Sequence, residues 1–566
     1  MNSASRELLE QHFDTAFAAP NGIQKLRELI LTLAMQGRLV PQDVNDAPAS
    51  QLLKEIAAEK KRLVKEGKIK APKPLPEIKS EEVPYALPHG WAWVRLGEIG
   101  VWKSGSTPSR NNRDYYGGDI PWVKSGEVKQ GRIAKTEELI TDRALNECSL
   151  SLNPVGSVLV AMYGANIGEV GILDIEAATN QAVCACRTYT AFDEQYLLNL
   201  IASLKPYFIS QGAGAAQPNI SREKIVATPF PLPPLPEQHR IVAKIDQLMA
   251  CCDELERLRA DREQKRRSAH TAALKQLLDA QAADSIADAW QFLSRHFGDL
   301  YAVKENVAEL RKAILQLAVM GKLVPQNPND PPASKLLKEI EAEKKRLVKE
   351  CKIRGTRSHD DAKEIKPEEV LFALPQGWEW VRFGEVASTR LGKMLDKSKN
   401  RGNPKPYLRN TNVQWHRFEL NDVKEMKFEQ DELEEFRVLS GDLLICEGGE
   451  PGRCAIWQET EMEIYFQKAI HRARPFAGVI AEYLQVCLSN DAGSGNLSQY
   501  FTGATIKHFP GDKLSRYILP LPPVNEQHRI VAKIDQLMAL CDTLEQQIDA
   551  ATRKQTELLD AVMAPV

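Results

Sequence analysis

Fourteen residues, EQHRIVAKIDQLMA, occur at Glu237–Ala250 and again, letter for letter, at Glu526–Ala539. A repeat so far apart in one chain demands a duplicated architecture, and it constrains the fold more than any compositional figure. Other text falls in step. LLKEIAAEKKRLVKE at Leu52–Glu66 returns as LLKEIEAEKKRLVKE at Leu336–Glu350, and ALPHGWAWVRLGE at Ala86–Glu98 returns as ALPQGWEWVRFGE at Ala373–Glu385. LVPQ stands at both Leu39 and Leu323, and EQHF near Gln11 has a counterpart in SRHF near Arg295. Each half therefore reads as a leading element, a central block of about 150 residues and a trailing helix. The full 566 residues also exceed what one hydrophobic core supports, roughly 250–300.

In the leading element, Leu26, Leu29, Ile30 and Leu33 are matched by Leu310, Ala313, Ile314 and Leu317. This i, i+3, i+4, i+7 spacing predicts one buried helix face, stopped by Gly37 and Gly321. A second helix rich in Lys and Glu follows, then a Pro/Lys linker, KIKAPKPLPEIK, in the first half. In the trailing element Ile530, Ile534, Leu537, Cys541, Leu544 and Ile548 are spaced 4-3-4-3-4, and Ile241, Ile245, Leu248, Cys252 and Leu255 repeat the series. A 3.5-residue period is the seam of a coiled coil, although one copy alone also fits an amphipathic helix on a domain surface. Two near-identical seams favour packing against each other about a pseudo-twofold axis. A helix from about Asn525 to Val562 makes a rod on the order of 55 Å, at ~1.5 Å per residue.

The central blocks share a skeleton and differ in their loops. NPVGSVLVAMYGANIGEVGIL (Asn153–Leu173) lines up with VLSGDLLICEGGEPGRCAIW (Val438–Trp457), each a β-rich run, a Gly-containing polar loop and a second apolar run, which is a hairpin-like signal. GAGAAQPNISREKI (Gly212–Ile225) parallels FTGATIKHFPGDKL (Phe501–Leu514). Strands mixed with a few helices predict an α+β or mixed α/β block. One framework carrying two sets of polar loops is suited to reading two different things. The first block offers SGSTPSRNNRDYY and PWVKSGE; the second offers RLGKMLDKSKNRGNPKPYLRN, with seven cations against the single acid Asp396. Lys and Arg neutralise phosphates, Arg can bond guanine, Asn and Gln adenine, and Glu can accept from cytosine. A solvated surface has the same composition, so these runs alone leave both readings open. With a net charge of −2, nucleic-acid binding would need local basic patches.

Several classes are disfavoured. Of the ten cysteines, Cys184-Ala-Cys186 and Cys251-Cys252 lack C-x₂-C partners, and no His pair sits at a ligand spacing, so free structural thiols are expected, as suits the cytoplasm. The N-terminal MNSASRELLEQHFDTAF lacks the apolar core of a signal peptide, and no apolar run approaches the ~20 residues of a membrane span. There is no G-x-x-x-x-G-K-[ST] phosphate loop. PLPPLPEQ and LPLPPVNEQ contain Pro-Pro without the preceding Asn or Asp and following aromatic that adenine methyltransferases use, and the Glu-x-Lys text of EAEKK is ordinary helix.

GSTPS, IPWVKSGEV, GSVLVAMYG with NIG, NQAV, QPNIS and FPLPPLPEQHRIVAKIDQL resemble a target recognition domain and conserved helix of the specificity subunit of type I restriction–modification systems. LRKAILQLAVMGKLVPQNPNDPPASKLL resembles that family's conserved spacer, and the leading element before ALPHGW and ALPQGW is similar to its type IB subgroup. KPYLRNTNVQ and GDLLICEGGEPGR are similar to a second recurring version of the domain, so the resemblance spans nearly the whole chain. It implies an α+β fold with two pseudo-symmetric mixed α/β target recognition domains joined by long antiparallel coiled-coil helices. The expected boundaries are a helical element and linker (1–85), the first recognition domain (86–234), a central conserved helix (235–285), a second helical element (286–372), the second recognition domain (373–523) and a C-terminal conserved helix (524–566).

The resemblance implies a non-catalytic subunit in which each recognition domain reads half of an asymmetric, bipartite double-stranded DNA target. It implies docking to two methyltransferase (M) subunits and, through the complex, restriction/translocase (R) subunits, with no membrane. S-adenosylmethionine, ATP and Mg²⁺ would belong to those partners, with no cofactor in this chain. The rod would then bound half-site separation at roughly 16 base pairs, at ~3.4 Å per step. DNA contacts are expected from Ser106, Thr107, Ser109, Arg110, Asn111, Arg113, Lys124, Tyr163, Asn166, Gln217 and Asn219 in the first domain. In the second they are expected from Arg390, Lys393, Lys397, Lys399, Arg409, Asn410, Asn412, Gln414, Glu447, Arg453, Lys507 and His508. His239, Arg240 and Lys244 recur as His528, Arg529 and Lys533 off the Ile/Leu stripe, which suits docking one partner twice. Recent duplication is the plainer explanation, and the divergence of the central blocks argues against it. Two rivals remain: a coiled-coil scaffold with paired ligand-binding domains, and a self-contained DNA methyltransferase or nuclease, which the missing motifs disfavour.

Overall fold

Helix-ending glycines mark the same step in both halves. Gly37 has φ +65° and Gly321 φ +67°, and a Cβ on either would come within 2.4 Å of the Pro88 or Pro375 ring. Only glycine satisfies both the left-handed turn and the close approach. The computed structural model describes residues 3–212, 219–280, 283–350, 365–396, 398, 400–459 and 461–564. The chain divides into two units, Met1–Arg262 with Ala551–Val566, and Glu263–Ala550. Two long helices, Leu235–Asp279 and Val524–Met563, each begin in one unit and end in the other.

The first unit opens on helices Ser3–Phe17, Gly22–Met35 and Ala49–Lys65. The apolar stripe of Gly22–Met35 packs on the 4-3-4-3 stripe of the first long helix as far as Cys252, and Ile23 and Ile30 share one core with Ile241, Ile245 and Cys252, while Leu255 is exposed. Arg27 closes the rim of this contact, reaching Asp253 at 2.5 Å and Glu256 at 3.0 Å. The second unit repeats the arrangement. Leu310 and Ile314 share a core with Ile530, Ile534 and Cys541, and Arg311 reaches Asp542 at 2.6 Å and Glu545 at 3.4 Å. Fully burying such aliphatic side chains contributes about 1.5–3 kcal/mol each. The far ends of the long helices are also covered. Leu559 and Val562 pack with Ala16, Phe17 and Leu29 in the first unit, while Ala273, Leu274 and Leu277 join the core of the second with Leu300 and Tyr301.

Each recognition block hangs on a two-stranded frame, Ala92–Arg95 with Pro229–Leu232 in the first unit and Glu379–Arg382 with Ile518–Leu521 in the second. Inside the first frame a five-stranded sheet runs in the order Gly100–Ser104, Val183–Thr188, Val158–Ala161, Val170–Leu173, Gly131–Ile133. A three-stranded sheet runs Glu138–Ile140, Tyr116–Val123, Ala178–Thr179. The second unit keeps this order as Ala387–Leu391, Ile470–Pro475, Leu443–Cys446, Cys454–Ile456 and as Lys424–Phe428, Asn403–Leu408, Tyr465–Phe466. It departs at one place, with a hairpin of Val413–Gln414 and Arg417–Phe418 where the first unit adds its fifth strand. Central runs such as Val158–Ala161 and Leu443–Cys446 are buried throughout, which explains why they read as continuous apolar text rather than alternating text.

Candidate nucleic-acid interface

In the first unit the strand ends converge. Ser104 pairs with Cys184, Ala161 with Val183, and Val123 with Thr179, so the loops that follow emerge along one edge. Backbone bonds lace them together: Gly105 N to Val183 O (3.1 Å), Ser106 N to Thr179 O (3.0 Å), Asn180 N to Val123 O (3.0 Å) and Ile220 N to Met162 O (2.9 Å). Tyr163 is bridged to Asn219. This brings Ser106, Thr107, Lys124, Tyr163 and Asn219 to one edge, with Tyr163 42% exposed and Thr107 bonded to Gln181. Asn166 sits half-buried in the turn Gly164–Asn166. Ser109, Asn111 and Arg113 are exposed further along the Ser104–Tyr116 loop. Two of the expected cations already have partners. Arg110 lies 4.5 Å from the Tyr116 ring centroid and 2.7 Å from Glu138, while Lys124 reaches Glu137 (2.7 Å) and Glu138 (3.1 Å). The Arg110 hydrogen bond holds the Glu138 carboxyl below the usual range. Gln217 lies outside the described residues.

The second edge is built alike and furnished differently. Leu391 pairs with His471, Cys446 with Ile470, and Leu408 with Phe466. Here three loops are braided. The Arg453 guanidinium donates to Asn410 O (2.8 Å) and Glu450 Oε2 (2.9 Å), Trp415 Nε1 donates to Glu450 Oε1 (2.8 Å), and Asn410 Nδ2 donates to Gly448 O (3.2 Å). His508 is bridged to Gly448, and its Nδ1 lies 3.2 Å from Glu447 Oε2. Gln414 bonds to Thr411 O (3.0 Å), and Lys507 is exposed.

Four cations of the run Arg390–Arg409 are paired inside the domain. Arg390 pairs with Glu435, Lys393 with Glu432, Lys405 with Glu463 (2.7 Å) and Arg409 with Asp422 (2.7 Å). Lys393 is buried, and its Nζ also donates to Lys427 O (3.0 Å). Asn412 is buried too. Its Oδ1 accepts from Arg409 N (3.0 Å) and its amide donates to Glu419 O (2.8 Å). Glu127 does the same in the first unit, where Oε2 accepts from Lys124 N (2.7 Å). Lys393 and Asn412, expected at the DNA, are thus placed as framework. Lys397 and Lys399 lie outside the described residues.

The repeated fourteen residues have a structural task that the stripe alone did not reveal. Glu237 is buried, accepting from Trp91 Nε1 (3.0 Å) and Gln42 Nε2 (3.1 Å). Glu526 accepts from Trp378 Nε1 (3.0 Å) and Gln326 in the same way. Gln238 and Gln527, also buried, donate to Pro233 O and Pro522 O at 3.0 Å and accept from the N-termini of the helices Glu194–Gln211 and Ala481–Ser494, at Asp193 N (3.2 Å) and Ile480 N (3.0 Å). Burial pushes both glutamate carboxyls up, against the pull of their hydrogen bonds. Of the expected docking residues, Arg240 is paired with Asp46 (2.6 Å) and Arg529 with Asp330 (2.8 Å). His239 is exposed, 3.4 Å from Asp193, and His528 is exposed as well. Lys244 and Lys533 bond the neighbouring Gln247 (3.0 Å) and Gln536 (3.2 Å). The signal for the anchors was in the sequence: Glu, Gln and the Trp of HGW and QGW recur off the apolar stripe.

Among the described residues, no group of three or more His, Cys, Asp or Glu side chains is placed to hold a metal ion, and no helix is long and apolar enough to cross a membrane. Residues 88–262 and 375–552 each match the type I restriction modification DNA specificity domain. The chain is 33% identical over 571 residues to the type I restriction enzyme EcoAI specificity subunit of Escherichia coli, covering 96% of this chain and 93% of that protein. It is 32% identical over 569 residues to the Escherichia coli EcoEI specificity subunit, with the same coverage. The crystal structure of the HsdS subunit from Thermoanaerobacter tengcongensis aligns over 85% of this chain and 98% of that one, at 20% identity and a TM-score of 0.43. Two such domains on a duplicated frame define a DNA-recognition protein. The chain belongs to the type I restriction–modification specificity subunit family, the non-catalytic, DNA-recognising component of these systems.

Proposed function

We propose that the two recognition units each read one half of an asymmetric, bipartite double-stranded DNA target, with residues 86–234 and 373–523 as the exchangeable blocks. The observation that carries this reading is one strand order presenting two unlike edges. In the first unit, the exposed or half-exposed groups Ser106, Thr107, Tyr163, Asn166 and Asn219 face the bases, with Ser109, Asn111 and Arg113 reaching further out. In the second, Asn410, Gln414, Glu447, Arg453 and His508 do so, with Lys507 meeting a phosphate beside them. Base edges in the major groove offer the acceptors and donors these groups need. The exposed His239 and His528, with the half-buried Lys244 and Lys533, dock one methyltransferase subunit each. Restriction subunits join through that complex in the cytoplasm. S-adenosylmethionine, ATP and Mg²⁺ are carried by those partners.

Exchanging residues 100–230 for the corresponding segment of another specificity subunit tests the reading. Methylome sequencing of cells carrying the hybrid is expected to show one half of the methylated motif changed and the other kept. A change in both halves, or in neither, overturns it.

A further inference from the structure

Beside the braided loops of the second edge stands a tip with an unusual side chain. Thr502 and His508 close it with two bonds, each amide nitrogen donating to the other residue's carbonyl at 2.9 Å. Below the closure, the Phe501 and Phe509 rings meet edge-on at 5.5 Å, and Phe509 N donates to Glu447 O at 2.7 Å. Beyond it all five residues, Gly503–Lys507, are exposed, and Ile506 is 67% exposed. The turn needs Gly503, whose φ is +91° and whose missing Cβ leaves room for Ile506 O.

A single exposed isoleucine on an ordinary surface needs no explanation. This one sits on a braced stalk next to Lys507 and His508, at the edge where Asn410 and Arg453 gather. Its β-branched side chain loses little rotamer freedom on contact. The apolar feature that distinguishes a base edge in the major groove is the 5-methyl group of thymine. At the matching bridge the first unit carries Tyr163 and Asn219.

We infer that Ile506 reads a thymine methyl group in the half-site recognised by the second unit, with Lys507 neutralising a neighbouring phosphate. This inference rests on the proposed reading of bipartite DNA by the two edges.

The experiment uses the full chain assembled with its methyltransferase subunits, on duplexes of the methylome-derived target. A hybrid exchanged over residues 373–523 first assigns the half-site. Each thymine in that half-site is then replaced singly by deoxyuridine, which keeps every hydrogen bond and removes only the methyl group. One replacement is expected to weaken wild-type binding about fourfold, the worth of one buried methyl-sized group. Ile506→Ala is expected to bind the unmodified duplex about fourfold more weakly and to ignore the deoxyuridine. Insensitivity of the wild type to every replacement, while the half-site still discriminates base sequence, overturns the inference and leaves the bipartite reading standing. So does an Ile506→Ala protein that remains sensitive to the same replacement. If the 373–523 hybrid shifts no half-site, the underlying reading itself fails.

Discussion

At the root of each long helix, Glu237 and Glu526 accept from a tryptophan and a glutamine in the same geometry, and Gln238 and Gln527 make matching bonds to backbone. At the edges of the recognition blocks the two units share little beyond the turn lock of Glu127 and Asn412. The first edge holds its cations against Glu137 and Glu138, whereas the second braids three loops around Asn410, Glu450 and Arg453. The difference shows where duplication is held by packing. A buried carboxylate must keep every partner or incur a desolvation cost, so the anchor tolerates little change. Loop side chains at an edge can satisfy one another in many ways, so the edges are free to diverge.

The strongest way to break this comparison is to remove an anchor. Glu237→Ala or Glu526→Ala leaves a buried indole N–H and a glutamine amide without their acceptor, and each is expected to destabilise its unit by about 2–3 kcal/mol, read as a lower denaturant midpoint. Equal losses would support equivalent anchors; a midpoint unchanged in either variant would show that the repeated glutamate is not structural. Next in size is the contrast between free and paired cations. Lys507→Ala is expected to weaken DNA binding at all sequences and to reduce the salt slope by about 1. Lys124→Ala should change that slope less, because its ammonium group is already held by two carboxylates. Equal slopes would mean that the carboxylates release Lys124 on binding.

The smallest expected effect is a pH dependence common to both anchors. Burial raises the folded-state carboxyls of Glu237 and Glu526 above their ordinary 4.5, so the folded protein binds more protons than the unfolded chain in that window. The stability they contribute is therefore fully present below about pH 4.5 and is lost as pH rises through the folded-state values. Denaturant midpoints measured across this range should show the decline in wild type, and Glu237→Gln with Glu526→Gln should remove the corresponding component. A decline of unchanged size in the double variant would place the titrating groups elsewhere.

Much of the architecture was legible because its signals are local. The helix predicted from about Asn525 to Val562 spans Val524–Met563, and the helix stops at Gly37 and Gly321 lie where φ turns positive. The hairpin-like text of Asn153–Leu173 and Val438–Trp457 does form paired strands, Val158–Ala161 with Val170–Leu173 and Leu443–Cys446 with Cys454–Ile456, and the bridges of Tyr163 to Asn219 and of Gly448 to His508 were not foreseen from it. What the seam packs against was less legible. In each unit most of the stripe packs with that unit's leading helix, a partner the 3.5-residue period does not specify, and Leu255 at the end of the first stripe is exposed.

The sequence by itself determined the duplication, the element order and the family, because repeats, periodicities and turn residues are written over short stretches of chain. Only the tertiary structure decided which charges are spent. Arg409 meets a carboxylate 13 residues away and Lys405 one 58 residues away, and Glu237 meets an indole 146 residues away. A basic run shows where cations are concentrated. Whether those cations are available to a phosphate depends on carboxylates delivered by strand pairing from distant text, and that is settled only when the chain has folded.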